Sequence, residues 1–192
     1  MTARLWWVRH GPTHARGMIG WTDLPADLSD EAAIGRLSAS LPEGAPVISS
    51  DLDRARRTAD AIAGSRPRLG DDRDLRELHF GGWERRLHDD IEAEDPGLAR
   101  AFWERPGDLA PPGGESWNAL SARVCAAADR LAARGGDIIV VAHFGAILSQ
   151  VQRARAIPAQ EAFAQHITPL SLTVTERGPA GRWTLRSVNE IK

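Results

Sequence analysis

The run Asp137-Ile138-Ile139-Val140-Val141-Ala142 restricts the fold of this 192-residue chain more than any other segment. It is apolar without alternation, rich in β-branched residues and too short for a buried helix. A strand of this kind has to be covered on both faces, which requires a parallel sheet between helix layers. Leu5 to Val8 and Pro46-Val47-Ile48 read the same way. Leu170 to Val174 and Trp183 to Val188 read as a closing strand pair around the turn Arg177-Gly178-Pro179-Ala180-Gly181. Helical patterns fill the gaps. Asp51 to Ala63 places Leu52, Ala55, Ala59 and Ile62 on one stripe, with Ser50 or Asp51 as the cap. Trp117 to Arg134 ends at Gly135-Gly136, and a third helix runs from near Gly145 past Val151 and stops before Pro158. The expected fold is a three-layer α/β/α sandwich with a mostly parallel central sheet and one antiparallel edge strand. Residues 1–192 fit one domain. Within it, residues 81–114 are rich in charge, Trp, Pro and Gly, and read as a partly helical excursion over one end of the sheet.

Composition narrows the classes of function. The formal charge is -2, which gives no general affinity for nucleic acid or anionic membranes. No run of roughly 18 apolar residues offers a membrane span. Leu5-Trp6-Trp7-Val8 meets Arg9-His10 too soon for a signal-peptide core, so the expected location is cytoplasmic. Cys125 is the single cysteine, so no intrachain disulfide forms. In an Ala-rich helix it reads as an inert thiol. No carboxylate cluster suits a divalent ion, and neither metal nor cofactor is expected.

Ligands of open α/β sheets bind beyond the carboxyl ends of the strands. Three predicted strands here end in groups that suit phosphate. The first ends Arg9-His10-Gly11-Pro12-Thr13, the second Ser49-Ser50-Asp51 with Arg54 just beyond, and the third His143-Phe144-Gly145. Between them lies Leu75-Arg76-Glu77-Leu78-His79-Phe80-Gly81-Gly82-Trp83-Glu84. Arg9 and Arg54 can each fork onto a pair of phosphoryl oxygens. One imidazole can attack phosphorus as a neutral base, while the other, when protonated, bonds a peripheral oxygen. Glu77 is the acid at hand for a departing alkoxide.

These motifs, in this order and over almost the whole chain, resemble the histidine phosphatase superfamily, the phosphoglycerate-mutase-like group. The resemblance implies that His10 is the nucleophile and becomes phosphohistidine. It implies that Arg9, Arg54 and His143 bind the phosphoryl oxygens, and that Thr13 lies among the phosphate-binding groups. Glu77 then protonates the leaving oxygen and activates the hydrolytic water. The other nitrogen of the nucleophile is held by a backbone carbonyl, which fixes its tautomer. Pro111-Pro112-Gly113-Gly114-Glu115-Ser116 with Arg123-Val124, and Gly20 to Pro25, resemble the α-ribazole phosphatase branch.

The sequence departs from the family pattern in three places. Pro12-Thr13 stands where Glu-Thr or Glu-Ser is usual. The phosphate-holding Asn that often follows is missing from Thr13-His14-Ala15-Arg16-Gly17, leaving His14 or Arg16 as substitutes. Phe144 is bulkier than the usual Gly or Ala. His79, His88 and His166 read as non-catalytic. Trp6, Trp7 and Trp183 lie in strands and read as core. Trp21, Trp83, Trp103 and Trp117 have two readings: packing of the excursion, or a flat wall for an aromatic leaving group. The pocket candidates are therefore His14, Arg16, Trp21, Trp83 and Phe144. The expected activity is hydrolysis of a small-molecule phosphomonoester, with α-ribazole phosphate as a candidate, by a monomer or homodimer. The alternatives are a phosphoglycerate mutase-type phosphotransferase, which in the family has Glu-Ser-x-x-Asn after Arg-His-Gly, and a non-catalytic phosphate-binding module.

Overall fold

The computed structural model describes residues 2–192. Five strands, β1 (Ala3–Arg9), β2 (Val47–Ser49), β3 (Gly136–Ala142), β4 (Leu172–Arg177) and β5 (Trp183–Glu190), form one sheet in the order β2-β3-β1-β4-β5. β1 and β2 both pair parallel with β3, while β4 pairs antiparallel with β1 and with β5. The expected antiparallel strand is therefore β4, one position in from the edge. The tight turn after Arg177 folds β5 back beside it, so β5 takes the edge and regains the direction of β1.

The unbroken apolar character of β3 follows from its neighbours. Ile138, Val140 and Ala142 join one core cluster, and Ile139 and Val141 join another on the opposite face. The first cluster is covered by α5 (Trp117–Ala132) and α6 (Phe144–Arg155), with α3 (His88–Glu94) and α4 (Pro96–Glu104) packed beside them. The second is covered by α1 (Glu31–Ser40) and α2 (Asp53–Ala63). A short α7 (Ala159–Phe163) follows α6. Trp7 and Trp183 are core, and Trp6 is half-buried with its indole N–H on Asp137 at 3.0 Å. No helix among the described residues is long and apolar enough to cross a membrane.

One local expectation fails. Neither Ser50 nor Asp51 caps α2. Leu52 holds the cap position without a side-chain bond, and Asp23 reaches across to accept the Asp53 N–H at 2.7 Å. Asp51 is drawn off by a bidentate pair with Arg76 at 2.6 and 2.7 Å, a stronger contact than a cap.

Candidate active site

β1 and β3 end on the same edge of the sheet, with Arg9 opposite Ala142. The next residue of each strand is a histidine. His10 donates its backbone N–H to the Ala142 carbonyl at 3.1 Å, and the two imidazoles lie with ring centres 5.0 Å apart. His143 has no exposed surface and His10 only 7%.

His10 Nδ1 is 2.6 Å from the carbonyl oxygen of Gly11. A carbonyl only accepts, so Nδ1 carries the proton and Nε2 presents its lone pair. The Arg54 Nε–H donates to that lone pair at 3.2 Å. Gly11 is held in turn by its N–H on Thr58 Oγ1 at 3.0 Å, and Thr58 is anchored on the Arg54 carbonyl at 2.7 Å. Burial, reinforced by the Arg54 charge, pushes His10 down to about 3. The same two causes lower His143 well below the ordinary histidine range, with the neighbouring His10 adding to them. Both ring nitrogens of His143 are buried without a partner among the described residues. That is costly and is relieved by a hydrogen-bonding ligand.

Arg54 is also buried, and burial works against its charge. Backbone oxygens compensate: Nη1 donates to Thr22 at 2.9 Å and Nη2 to Gly20 at 2.6 Å. The loop that carries those carbonyls is itself clamped by Glu84. Its carboxylate takes the N–H groups of Gly20, Trp21, Thr22 and Phe80 and the Thr22 hydroxyl, at 2.7 to 3.2 Å. Burial raises Glu84, but the Thr22, Trp21, Gly20 and Phe80 bonds outweigh it and the net shift is downward. Gly20 has to be glycine, since a Cβ there would sit 2.0 Å from the Leu78 carbonyl. Arg9 donates to the Ile167 carbonyl and lies 5.3 Å over the Phe144 ring.

Glu77 is buried, and its carboxylate is fixed by backbone. Oε1 accepts the N–H groups of Leu78 at 2.9 Å and Gly145 at 3.0 Å, while Oε2 shares the Gly145 N–H at 3.1 Å. Gly145 lies in the first turn of α6, where N–H groups have no intrahelical acceptor and favour an anion. A Cβ on Gly145 would come within 2.5 Å of Oε1. Trp21 and Arg123 donate to the Glu77 carbonyl at 2.7 and 3.3 Å. Glu115 is committed to Arg123.

His10, His143, Arg9, Arg54 and Glu77 are thus gathered at one edge. Thr13 is half-buried in the adjoining loop. His14 and Arg16 are not brought into the group: His14 is exposed and bonds Asp27 at 2.8 Å, and Arg16 is exposed. Trp21 sits against the Glu77 loop, stacked on His79 with ring centres 4.5 Å apart. Trp83 is core, edge-on to Phe102. Thr58, Gly145 and the clamping role of Glu84 escaped the sequence reading. Among the described residues, no group of three or more His, Cys, Asp or Glu is placed to hold a metal ion.

The whole chain carries the mark of one family. The model for branch 1 of the histidine phosphatase superfamily matches residues 5–191. The chain belongs to that superfamily. It is 31% identical over 170 residues to the adenosylcobalamin/alpha-ribazole phosphatase of Salmonella typhimurium, a match covering 81% of each protein. It is 30% identical to bifunctional protein Rv2228c of Mycobacterium tuberculosis, with 97% of this chain spanning about half (54%) of that protein. The solved structure of Bacillus stearothermophilus YhfR superposes with a TM-score of 0.89 at 27% identity, covering 99% of this chain and 98% of that one.

The buried imidazole makes folding pH-dependent. An unfolded histidine titrates near 6.5, whereas His10 in the fold titrates at about 3. Between these values the folded protein binds fewer protons, so its stability is complete above pH 6.5 and declines as pH falls. His10→Gln is expected to flatten the decline between pH 6 and 4.5 by up to about 1.4 kcal/mol per pH unit. Urea midpoints at several pH values measure it, and equal slopes would show that the folded imidazole takes up the proton. Glu84→Gln, which replaces acceptors by an NH2 group, is expected to cost about 2 kcal/mol in the same assay at pH 7. An unmoved midpoint would mean the clamp is idle.

Proposed function

We propose that this protein hydrolyses small-molecule phosphomonoesters through a phosphohistidine on His10. The observation that carries the reading is the His10 ring itself: Nδ1 tied to the Gly11 carbonyl, Nε2 turned toward Arg54, and the whole kept neutral by burial. Such a nitrogen is an unprotonated nucleophile in a cationic surrounding. The phosphoryl group displaces the Arg54 Nε–H from the lone pair. Nε2 then forms its bond to phosphorus as the ester P–O bond breaks. Arg9, Arg54 and His143 hold the peripheral oxygens, with Thr13 at the loop beside them. His143, kept neutral by burial, has one N–H to donate, and it gives that N–H to a peripheral oxygen.

Glu77 protonates the departing oxygen. Oε2 shares a single N–H, so it is the carboxylate oxygen with room for a proton. In the second step Glu77 takes a proton from water as the water oxygen attacks phosphorus. The P–N bond breaks and the Nε2 lone pair is restored. Glu84 and Glu115 are saturated by other partners, which supports Glu77 as the acid. No step calls for a metal. Residues 81–114 bring Phe102 and Trp103 beside Glu77, in keeping with one domain whose excursion covers the active site. The likeness to a protein named adenosylcobalamin/alpha-ribazole phosphatase makes α-ribazole phosphate the first substrate to try.

His10→Ala is expected to abolish turnover, and acid-quenched wild type to carry an acid-labile phosphate on His10. Substantial activity in the variant, or phosphate trapped elsewhere, overturns the mechanism. Activity is expected to survive excess EDTA, and a stripped enzyme restored by Mg or Zn would contradict the metal-free route. A substrate panel that includes 3-phosphoglycerate separates hydrolysis from mutase-type transfer.

Glu77→Gln is expected to slow phosphohistidine formation from alkyl phosphates by about 10²–10⁴-fold, but far less from p-nitrophenyl phosphate, whose leaving group needs no proton. Arg54→Ala, which removes a contact to the phosphoryl group, is expected to slow both alike. Single-turnover bursts measure these steps. Equal slowing of both esters by Glu77→Gln shows that another group is the acid.

A further inference from the structure

Beside Glu77 lies a cavity of about 260 Å³ that the reaction as derived leaves unused. Its walls are Phe80, Phe102, Trp103, Trp117, Phe144 and Phe163, with Leu78 and Gly145 closing it. We propose that this cavity binds the leaving alcohol of the substrate, and that the alcohol carries an uncharged aromatic or similarly flat apolar group. The proposal rests on the phosphatase reading for the direction in which the ester points.

Position is the first argument. Glu77 and Phe144 belong to both places. Glu77 and Phe144 both line the cavity, and Phe144 follows His143 and lies under the Arg9 guanidinium. An oxygen that receives its proton from Glu77 therefore leaves beside a residue of this cavity's wall. Shape and chemistry are the second. The six rings come from five places in the chain; Trp117 meets Phe163 edge-on at 4.7 Å and Phe102 meets Trp103 edge-on at 4.8 Å between centres, while Phe80 and Phe163 lie tilted to Trp103 at 6.4 and 6.1 Å. An apolar cavity of about 150 Å³ holds benzene, so there is room for a larger ring system.

Charge is the third argument. Among the described residues that line it, Glu77 is the one ionisable group, and Arg9 lies over the Phe144 ring without being part of the lining. An acidic leaving group of the glycerate kind would be buried without a cationic partner. The fourth is an unfilled bond. The Trp103 indole N–H is buried without an acceptor among the described residues, whereas Trp117 donates to Gln152 at 2.8 Å. A ring bearing one hydrogen-bond acceptor can satisfy Trp103 where a hydrocarbon cannot.

Phosphonates test this without turnover, because their P–C bond is not cleaved by this route. Binding of 3-phenylpropylphosphonate, propylphosphonate and 3-carboxypropylphosphonate to the full chain is to be measured by titration calorimetry. The phenyl compound is expected to bind about tenfold to a hundredfold tighter than the propyl one, as burial of a phenyl ring implies, and the carboxy compound weakest. Trp103→Ala and Phe163→Trp, one opening the wall and one filling the space, are each expected to reduce the phenyl-to-propyl ratio. Two variants of opposite sense guard against one failing to fold. A wild-type ratio near one, a carboxy compound that binds as tightly as the phenyl one, or a ratio untouched by both substitutions overturns the proposal. Failure of the phosphatase reading shows separately, as the lack of phosphohistidine on His10, and leaves the phosphonate ratios readable.

Discussion

The parallel pairing of β1 with β3, in the register that sets Arg9 against Ala142, is the constraint from which the site follows. Neighbouring strands lie about 4.8 Å apart, and the two imidazoles, one residue beyond the pair, are 5.0 Å apart between centres. The sheet spacing thus sets the spacing of the histidines. The register itself is protected by burial. Ile138 and Val140 face one helix layer and Ile139 the other, and a slip by one residue would exchange the two sets and turn an imidazole to the wrong face. β2 adds the third strand end, from which α2 departs and delivers Arg54.

A buried site with two arginines has to be held open to anions without collapsing onto its own counterions. Here backbone oxygens do much of that work. Arg54 spends its outer nitrogens on Gly20 and Thr22, and Arg9 bonds Ile167. A carbonyl dipole compensates a guanidinium without cancelling its charge, so positive charge remains available to an anion. Glu84 supports the arrangement from behind: it fixes the 20–22 loop by amides, and the loop fixes Arg54. The burial that keeps His10 unprotonated also leaves His143 with unmet hydrogen bonds. Both conditions cost stability, and both suit a group about to bind an oxyanion.

What could be read from the sequence was whatever is encoded by local pattern. The strands betrayed themselves by apolar runs, and the chemistry by the polar residues that end them, because strand ends of a parallel sheet converge by construction. Contacts made across long stretches of chain were not legible. The Asp23 contact at the α2 terminus comes from 30 residues upstream, and the Glu84 clamp spans about 60. Helices α1 and α7 went unread: α1 contains Gly35 and two serines and buries only Ile34 and Leu37, and α7 is five residues long. The loop departure at Pro12-Thr13 was visible, but its outcome was not. A backbone with positive φ at His14 and an acceptor on Asp27 takes His14 to a surface pair instead of the imidazoles.

The bulk of Phe144 acquires a reason from its two sides. The residue after His143 begins α6, so its side chain has to leave beside the pair of imidazoles whatever its identity. A small residue there would leave Arg9 without its aromatic platform and would leave one side of the cavity at Glu77 without its wall. Gly145, next in line, is constrained in the opposite sense, since any side chain would strike the Glu77 carboxylate. Three consecutive residues therefore divide the space: His143 faces His10, Phe144 lies between Arg9 and the cavity, and Gly145 abuts the Glu77 carboxylate. Because they share one helix start, neither the arginine nor the acid can be moved without reshaping the cavity between them. In the proposed reaction, the recognition of a leaving group and the protonation of its oxygen are two consequences of the same turn of helix.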